Sequence, residues 1–196
     1  MPWSQISSLC RWYLLLGLWV TSLTAVSADA TRFDLGALRA STLFIQAGVG
    51  DQSTRAYVAG ATWDWSWRRQ YSAVTASGYL EADIGRWTTD DRGVSSSAWA
   101  TQIGLTPVIR LQSLGIHSPW FAEIGIGANY IVPLYQTGHK QFSTKFNFGD
   151  HIGVGRQFGE RHQHELMVRM QHFSNAGIDH PNPGENFVQL RYSRRL

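Results

Sequence analysis

The sequence predicts an all-β protein, an eight-stranded antiparallel transmembrane β-barrel of the outer membrane that follows a cleaved signal peptide. Three observations predict it: an export leader, segments in which apolar and polar residues alternate, and many aromatic side chains. The chain has 196 residues with 9 Trp, 7 Tyr and 9 Phe, yet its mean hydropathy is only -0.20. Alternation explains this combination, because a barrel strand turns every second side chain to lipid and the others to a polar interior.

The N-terminus has the pattern of a secretory signal peptide. Arg11 precedes the apolar run 12–20, and small residues follow it. The apolar run is too short to span a bilayer as a helix, which takes about 20 residues. The small residues form a cleavage site after Ala28 or Ala30.

The leader divides the chain into a signal peptide at residues 1–30 and a single outer-membrane barrel domain at 31–196. Cys10 is the only cysteine and lies in the leader, so the exported part has no disulfide and no thiolate metal site. The histidines have no metal-binding spacing, and no cofactor is expected. The net charge of +3 is mild, and no basic-aromatic pattern indicates nucleic acid.

Eight alternating segments follow residue 40, each bounded by turn residues. A tilted strand needs about 9 to 11 residues to cross a bilayer, and an even number of strands is typical of outer-membrane barrels. Turns are predicted at 68–70, 88–93, 112–115, 134–141 and 158–161. The predicted strands lie at about 41–49, 55–67, 71–84, 96–109, 119–131, 142–156, 163–174 and 187–196.

Each segment has one apolar face, and aromatic residues gather near the segment ends as in the interface girdles of membrane barrels. The apolar faces carry, in chain order, Leu43 and Ile45, Tyr57 and Trp63, Leu80 and Ile84, Ile103 and Ile109, Ile124 and Ile126, Phe142 and Phe148, Leu166 and Val168, and Val188 and Leu190.

The seventh segment carries an imidazole and a hydroxyl on its apolar face. His172 and Ser174 continue the row of Leu166, Val168 and Met170, whereas the charged side chains of this segment lie on the other face. Polar groups are costly on a lipid face. If the first strand leaves the periplasm, the seventh also runs outward. Its end then reaches the outer leaflet, at the level of lipid ester bonds.

These residue types fit ester hydrolysis. Ser174 can attack an ester carbonyl once His172 removes its proton. A carboxylate would orient the imidazole and stabilise the imidazolium. Glu185 is the leading candidate for this acid, and Asp179 and Asp150 are also candidates.

The loop after the seventh segment carries candidates for an oxyanion hole. The side chains of Asn175 or Asn182, or backbone amides near Asn175 and Gly177, could hold the developing oxyanion. Glycines and prolines between 177 and 184 predict a tight loop that returns Glu185 to His172.

The motifs HFSNAGI at 172–178 and PNPGE at 181–185 resemble the lipid A 3-O-deacylase (PagL) family. The resemblance implies an eight-stranded outer-membrane barrel that removes the ester-linked acyl chain, a 3-hydroxy fatty acid, from position 3 of lipid A. It also implies a Ser-His-Glu triad without a metal, with Ser174 as nucleophile and His172 as base.

The same resemblance implies roles for further residues. Asn175 and Asn182 match polar positions near the oxyanion, and Phe148 matches an active-site phenylalanine. One departure stands out. The family's acid lies one residue further from the histidine than Glu185, where this chain has Asn186.

The resemblance implies lipopolysaccharide as the substrate and outer-membrane lipids as partners, and a homodimer is left open. An outer-membrane phospholipase with the same triad is a second enzymatic hypothesis. Two non-enzymatic hypotheses are a barrel for structure or adhesion and a soluble lipocalin-like binder.

Overall fold

The computed structural model describes residues 39–90, 99–113 and 118–196. The predicted signal peptide at 1–30, its cleavage site and the first residues of the predicted barrel domain lie outside this part of the chain. Among the described residues, no helix is long and apolar enough to cross a membrane.

Eight antiparallel strands form a closed barrel in which each strand pairs with its neighbours in sequence and β8 returns to β1. This architecture confirms the predicted fold. The strands are β1 (Thr42–Gly50), β2 (Arg55–Gln70), β3 (Val74–Thr88), β4 (Trp99–Ser113), β5 (Trp120–Val132), β6 (Phe146–Phe158), β7 (His164–Ser174) and β8 (Glu185–Arg195). We call the end at which β7 finishes the upper end, and the end that holds the C-terminus the lower end.

Several predicted boundaries are wrong, and two of them misplace a turn or a side chain. The turn predicted at 68–70 belongs to β2, and the chain reverses at 71–73, where the N–H of Tyr71 donates to the carbonyl of Val74 at 2.8 Å. Phe142, predicted on the lipid face of the sixth strand, lies in the connection 133–145 and is buried. A connection that folds over the barrel mouth can turn an aromatic side chain inward, which strand alternation does not anticipate.

The outer wall of the barrel is apolar. On most strands every second side chain is exposed and the intervening ones are buried, for example along most of β5 and β8. Aromatic side chains such as Trp99 and Trp120 stand exposed near the two rims. An apolar outer surface this extensive is typical of a barrel surrounded by lipid.

The middle of the barrel is filled by a network of ion pairs. Arg169 donates to Glu81 at 3.0 and 3.1 Å and to Glu123 at 3.0 Å. Arg191 also donates twice to Glu81, and Arg110 donates to Glu123. These side chains are largely buried, and each of their charges has at least one partner of opposite charge within the network. Such pairing is what buried charges require.

An aromatic cluster fills the upper end. The ring of Trp87 contacts Tyr135, Phe142, Phe173 and Phe187, with centroid distances of 4.8 to 6.5 Å. Tyr135 and Phe142 come from the connection 133–145, which therefore covers the barrel mouth. Side chains therefore occupy both the middle and the upper part of the barrel interior.

The ion-pair network predicts a stability cost. Glu81→Gln leaves the buried Arg191 without its charged partner and Arg169 with Glu123 alone, so the free energy of unfolding should fall by about 3 kcal/mol. Urea titration of the refolded protein in detergent micelles, followed by tryptophan fluorescence, measures it. Asp64→Asn removes an exposed partner of Arg195 and should cost less than about 1 kcal/mol. Equal losses for the two variants would contradict the role of the network.

Candidate active site

The predicted His-Ser pair lies on the outer wall near the upper end. His172 sits between Asp150 on β6 and Asn186 on β8, and Ser174 pairs with Phe148 on β6. Both side chains are half-buried and line the same groove. The prediction that strand alternation places them on the outside is confirmed.

The partner of His172 is an amide. Nδ1 of His172 lies 2.7 Å from Oδ1 of Asn186. An amide oxygen only accepts hydrogen bonds, so Nδ1 must carry the proton of this contact. In the neutral imidazole Nε2 is then the unprotonated nitrogen, which is the state that a general base requires.

Glu185 does not reach His172, and the prediction that it orients the imidazole is wrong. It pairs with Phe173 on the inner face of the barrel and is fully buried. Its Oε2 accepts hydrogen bonds from Tyr135 at 3.2 Å and from Lys140 at 3.2 Å. Successive residues of a strand point to opposite faces, so a change of one position exchanges the outer wall for the interior.

A signal for Asn186 is present in the sequence. Asn186 has the same parity as Val188 and Leu190, the apolar face of the last strand. The predicted strand begins at 187, which leaves 185 and 186 in a loop where alternation does not apply. Asp51 accepts a hydrogen bond from Asn186 at 3.3 Å and one from Lys140 at 2.7 Å, and neither residue has such a signal in the sequence.

Asp150 and Asp179, the two other candidates for the acid of the triad, are not the hydrogen-bond partners of His172 Nδ1. Asp150 is exposed on the outer wall and pairs in register with His172. Asp179 lies in the connection 175–184, where its carboxylate accepts the backbone N–H of His180 at 2.7 Å. Nδ1 of the imidazole therefore has Asn186 as its hydrogen-bond partner, not either of these acids.

The predicted oxyanion residues hold the connection 175–184 together. The buried amide of Asn175 donates to Ser143 Oγ and to the carbonyl of Asp179, both at 2.9 Å, and accepts the N–H of Gly177 at 2.9 Å. The N–H of Asn175 donates to Oδ1 of Asn182 at 3.1 Å. Asn182 therefore presents its NH₂ group as the remaining donor of its side chain.

Gly184 leaves room for the imidazole of His172 because it has no side chain. Its φ of +68° lies in the left-handed region, and a Cβ there would lie 2.7 Å from Cε1 of His172. Only glycine allows the chain to pass this close to the ring.

An apolar groove of about 730 Å³ extends from the His-Ser pair along the outer wall. It runs toward the middle of β5 and β6, and its dimensions and lining suit a hydrocarbon chain. The apolar lining includes Ile124, Ile126, Phe148, Ile152 and Met170.

Among the described residues, no cluster of three or more His, Cys, Asp or Glu side chains could hold a metal.

The fold and the site together define a class of protein, a small transmembrane β-barrel with an esterase-like His-Ser pair that opens to lipid. A family model described as lipid A 3-O-deacylase (PagL) matches residues 55–195. The lipid A deacylase PagL of Pseudomonas aeruginosa is 29% identical over 170 residues, which cover 86% of this chain and 94% of that protein. PagL of Bordetella bronchiseptica is 31% identical over 148 residues, 74% of this chain and 78% of that protein.

The structural comparison agrees. The crystal structure of the outer membrane enzyme PagL matches with a TM-score of 0.69 and 28% identity, over 79% of this chain and 99% of that one. A de novo designed transmembrane β-barrel shares the fold at a TM-score of 0.50 and 11% identity, over 81% of this chain and 98% of that one. The chain belongs to the lipid A 3-O-deacylase (PagL) family, and it is a β-barrel of the outer membrane. The resemblance predicted from the motifs is confirmed.

Gly184→Ala should impair the site more than the fold. The added methyl group displaces His172, so ester hydrolysis should fall at least about tenfold, while the left-handed backbone costs about 1 to 2 kcal/mol of stability. Gly159→Ala is the control, because Gly159 also has a positive φ, +88°, but lies at the lower end. Similar activity losses in both variants would contradict a specific clash with His172.

Proposed function

We propose that this chain hydrolyses the 3-O-linked acyl chain of lipid A, with Ser174 as the nucleophile and His172 as the general base. The observation that supports this best is the position of the His-Ser pair on the lipid-facing wall, at the head of an apolar groove. Membership of the deacylase family supports the substrate and the reaction. The site then lies at the outer leaflet.

The reaction takes place in two acyl transfers. Oγ of Ser174 attacks the ester carbonyl carbon while Nε2 of His172 accepts the hydroxyl proton. The tetrahedral intermediate expels the sugar 3-oxygen, which receives this proton from His172. Water then attacks the acyl-Ser174 ester, again with His172 as base, and releases a 3-hydroxy fatty acid and free Ser174.

In this mechanism Asn186 takes the place predicted for Glu185. Its amide oxygen holds the Nδ1 proton and so selects the tautomer and ring orientation of His172. An amide has no net charge, so it orients the imidazole but gives the imidazolium less stabilisation than a carboxylate would. The triad that we propose is thus Ser174, His172 and Asn186, in which the contact between His172 and Asn186 is the hydrogen bond at 2.7 Å.

Asn182 is our candidate for the oxyanion donor. The N–H of Asn175 occupies its Oδ1, and this contact fixes which way the Asn182 amide points. Asn175 and Gly177, themselves predicted as oxyanion residues, position Asn182 through the hydrogen bonds of the connection 175–184. In other enzymes that work by acyl transfer to a serine, one preorganised donor of this kind raises the rate by about 10²- to 10³-fold.

Phe148 and the groove provide the acyl-binding surface. Phe148 stands beside Ser174 on the neighbouring strand, and its ring packs edge-on against Phe146 at 5.2 Å. A chain that enters past Phe148 lies along Ile152 and Met170 with its ester at Ser174. Because the acyl chain comes from the surrounding hydrocarbon and not from water, its binding there depends on packing contacts with the groove.

Ser174→Ala and His172→Gln should lower deacylation by at least about 10³-fold without unfolding the barrel. Mass spectrometry of lipid A from expressing cells measures the loss of one 3-hydroxy acyl group. Ser72→Ala, in the turn at the lower end, is the control and should behave as wild type. Full deacylation by Ser174→Ala would refute the mechanism. Hydrolysis of purified glycerophospholipid without lipid A deacylation would instead support the phospholipase hypothesis.

Ile152→Trp should narrow the groove and discriminate by chain length. We expect kcat/KM for p-nitrophenyl palmitate to fall about tenfold, with little change for the butyrate ester, which is too short to reach residue 152. Ile103→Trp is a matched control, because Ile103 is 56% and Ile152 59% exposed, and Ile103 lies on β4 away from the groove. Equal losses on both esters would contradict acyl binding in this groove.

A further inference from the structure

A carboxylate lies directly behind the amide that holds His172. Asp51 begins a single 3-10 turn, Asp51–Ser53, between β1 and β2 at the upper end. Its Oδ2 accepts hydrogen bonds from Nδ2 of Asn186 at 3.3 Å and from Nζ of Lys140 at 2.7 Å. A continuous chain of contacts therefore runs from the imidazole through Asn186 to Asp51.

The chemistry of these groups fixes the direction of the chain. An ionised carboxylate only accepts hydrogen bonds, so Asn186 must turn its NH₂ group to Asp51. Its oxygen must then face His172, and His172 must donate from Nδ1. Without Asp51, the Asn186 amide could rotate by half a turn, offer its NH₂ group to the imidazole and favour the tautomer that is protonated on Nε2.

We propose that Asp51 is a positioning residue of the active site, which supplies through Asn186 the carboxylate that the triad of this chain lacks. This inference rests on the proposed function of His172 and Ser174. Asp51 sets the orientation of Asn186, and its negative charge stabilises the imidazolium across the amide. The site is then a relay of four residues, Ser174, His172, Asn186 and Asp51.

Lys140 keeps Asp51 in place. Its ammonium group reaches from the connection 133–145 and also donates to the carbonyl of Gly184 at 3.0 Å and to Glu185 at 3.2 Å. Its hydrogen bond lowers the pKa of the Asp51 carboxyl below the ordinary value, against an opposing effect of burial, and the bond from Asn186 lowers it further. Asp51 is therefore ionised at neutral pH. Because Glu185 shares the same ammonium, the charge of Asp51 is only partly neutralised.

The pH dependence of the reaction reports this charge. The charged or titratable groups around His172 are Asp150 on β6 and, beyond the Asn186 amide, Asp51, Lys140 and Glu185. A negative charge favours the imidazolium, so its removal disfavours this charged form of the catalytic base. Loss of Asp51 should move the acid limb of the pH–rate profile to lower pH while the maximal rate falls. A residue that only braces the connections would lower the rate without moving this limb.

The test is a double-mutant cycle on the purified full-length barrel in detergent, with p-nitrophenyl palmitate and lipopolysaccharide as substrates. Asp51→Asn should lower kcat about 10- to 100-fold with KM nearly unchanged, and should shift the acid limb. Asp51→Glu keeps the carboxylate and should recover part of the rate. Asp90→Asn is the matched control, because it removes a carboxylate paired with an arginine, Arg55, at the same end of the barrel.

The second arm introduces a direct carboxylate. Asn186→Glu places a carboxylate in the position that contacts Nδ1 of His172. In this background Asp51→Asn should therefore lower kcat less than about threefold. Equal losses in both backgrounds without a shift of the acid limb would overturn the proposal and leave Asp51 as a brace. Asp51→Asn activity equal to that of Asp90→Asn would overturn it as well. Activity retained by Ser174→Ala would refute the proposed function instead, so the two failures are distinguishable.

Discussion

The hydrogen-bonded closure of the barrel is the constraint on which the rest of the structure depends. Because β8 pairs with β1, the backbone groups of the wall find their partners within the sheet, as a chain surrounded by lipid requires. Closure also leaves each side chain only two directions, inward or outward. The apolar outer surface, the buried ion-pair network and the position of His172 and Ser174 on the outer wall all follow from this alternation.

The filled interior explains why the site lies outside. Arg169 and Arg191 hold Glu81 in the middle of the barrel, and Trp87 anchors the aromatic cluster above it. A rigid interior gives the outer wall a fixed shape, and the apolar groove is part of that wall. Lipid can then reach His172 and Ser174 by lateral movement in the leaflet, without leaving the membrane.

Alternation also explains why an amide takes the third position of the triad in the mechanism that we propose. The side chain of Asn186 lies on the outer wall and that of Glu185 lies in the barrel interior. The carboxylate next to Asn186 in the sequence therefore cannot contact His172. The short connection between β1 and β2 brings a different carboxylate, Asp51, to the far side of Asn186. The functions of a single acid, orientation and charge, are in our proposal divided between an amide and a remote carboxylate that Lys140 holds in place.

The sequence by itself determined the number of strands, the lipid face of each strand, and the outward position of His172 and Ser174, because a two-residue period needs no knowledge of the neighbouring strands. The resemblance of the motif at 172–185 was also sufficient to predict the family. Only the tertiary structure decided the partner of His172. That choice depends on the register between β7 and β8 and on where β8 begins, and one residue of difference exchanged Glu185 for Asn186. Asp51 lies 135 positions from Asn186, and no local pattern relates them, since barrel closure alone brings β1 next to β8.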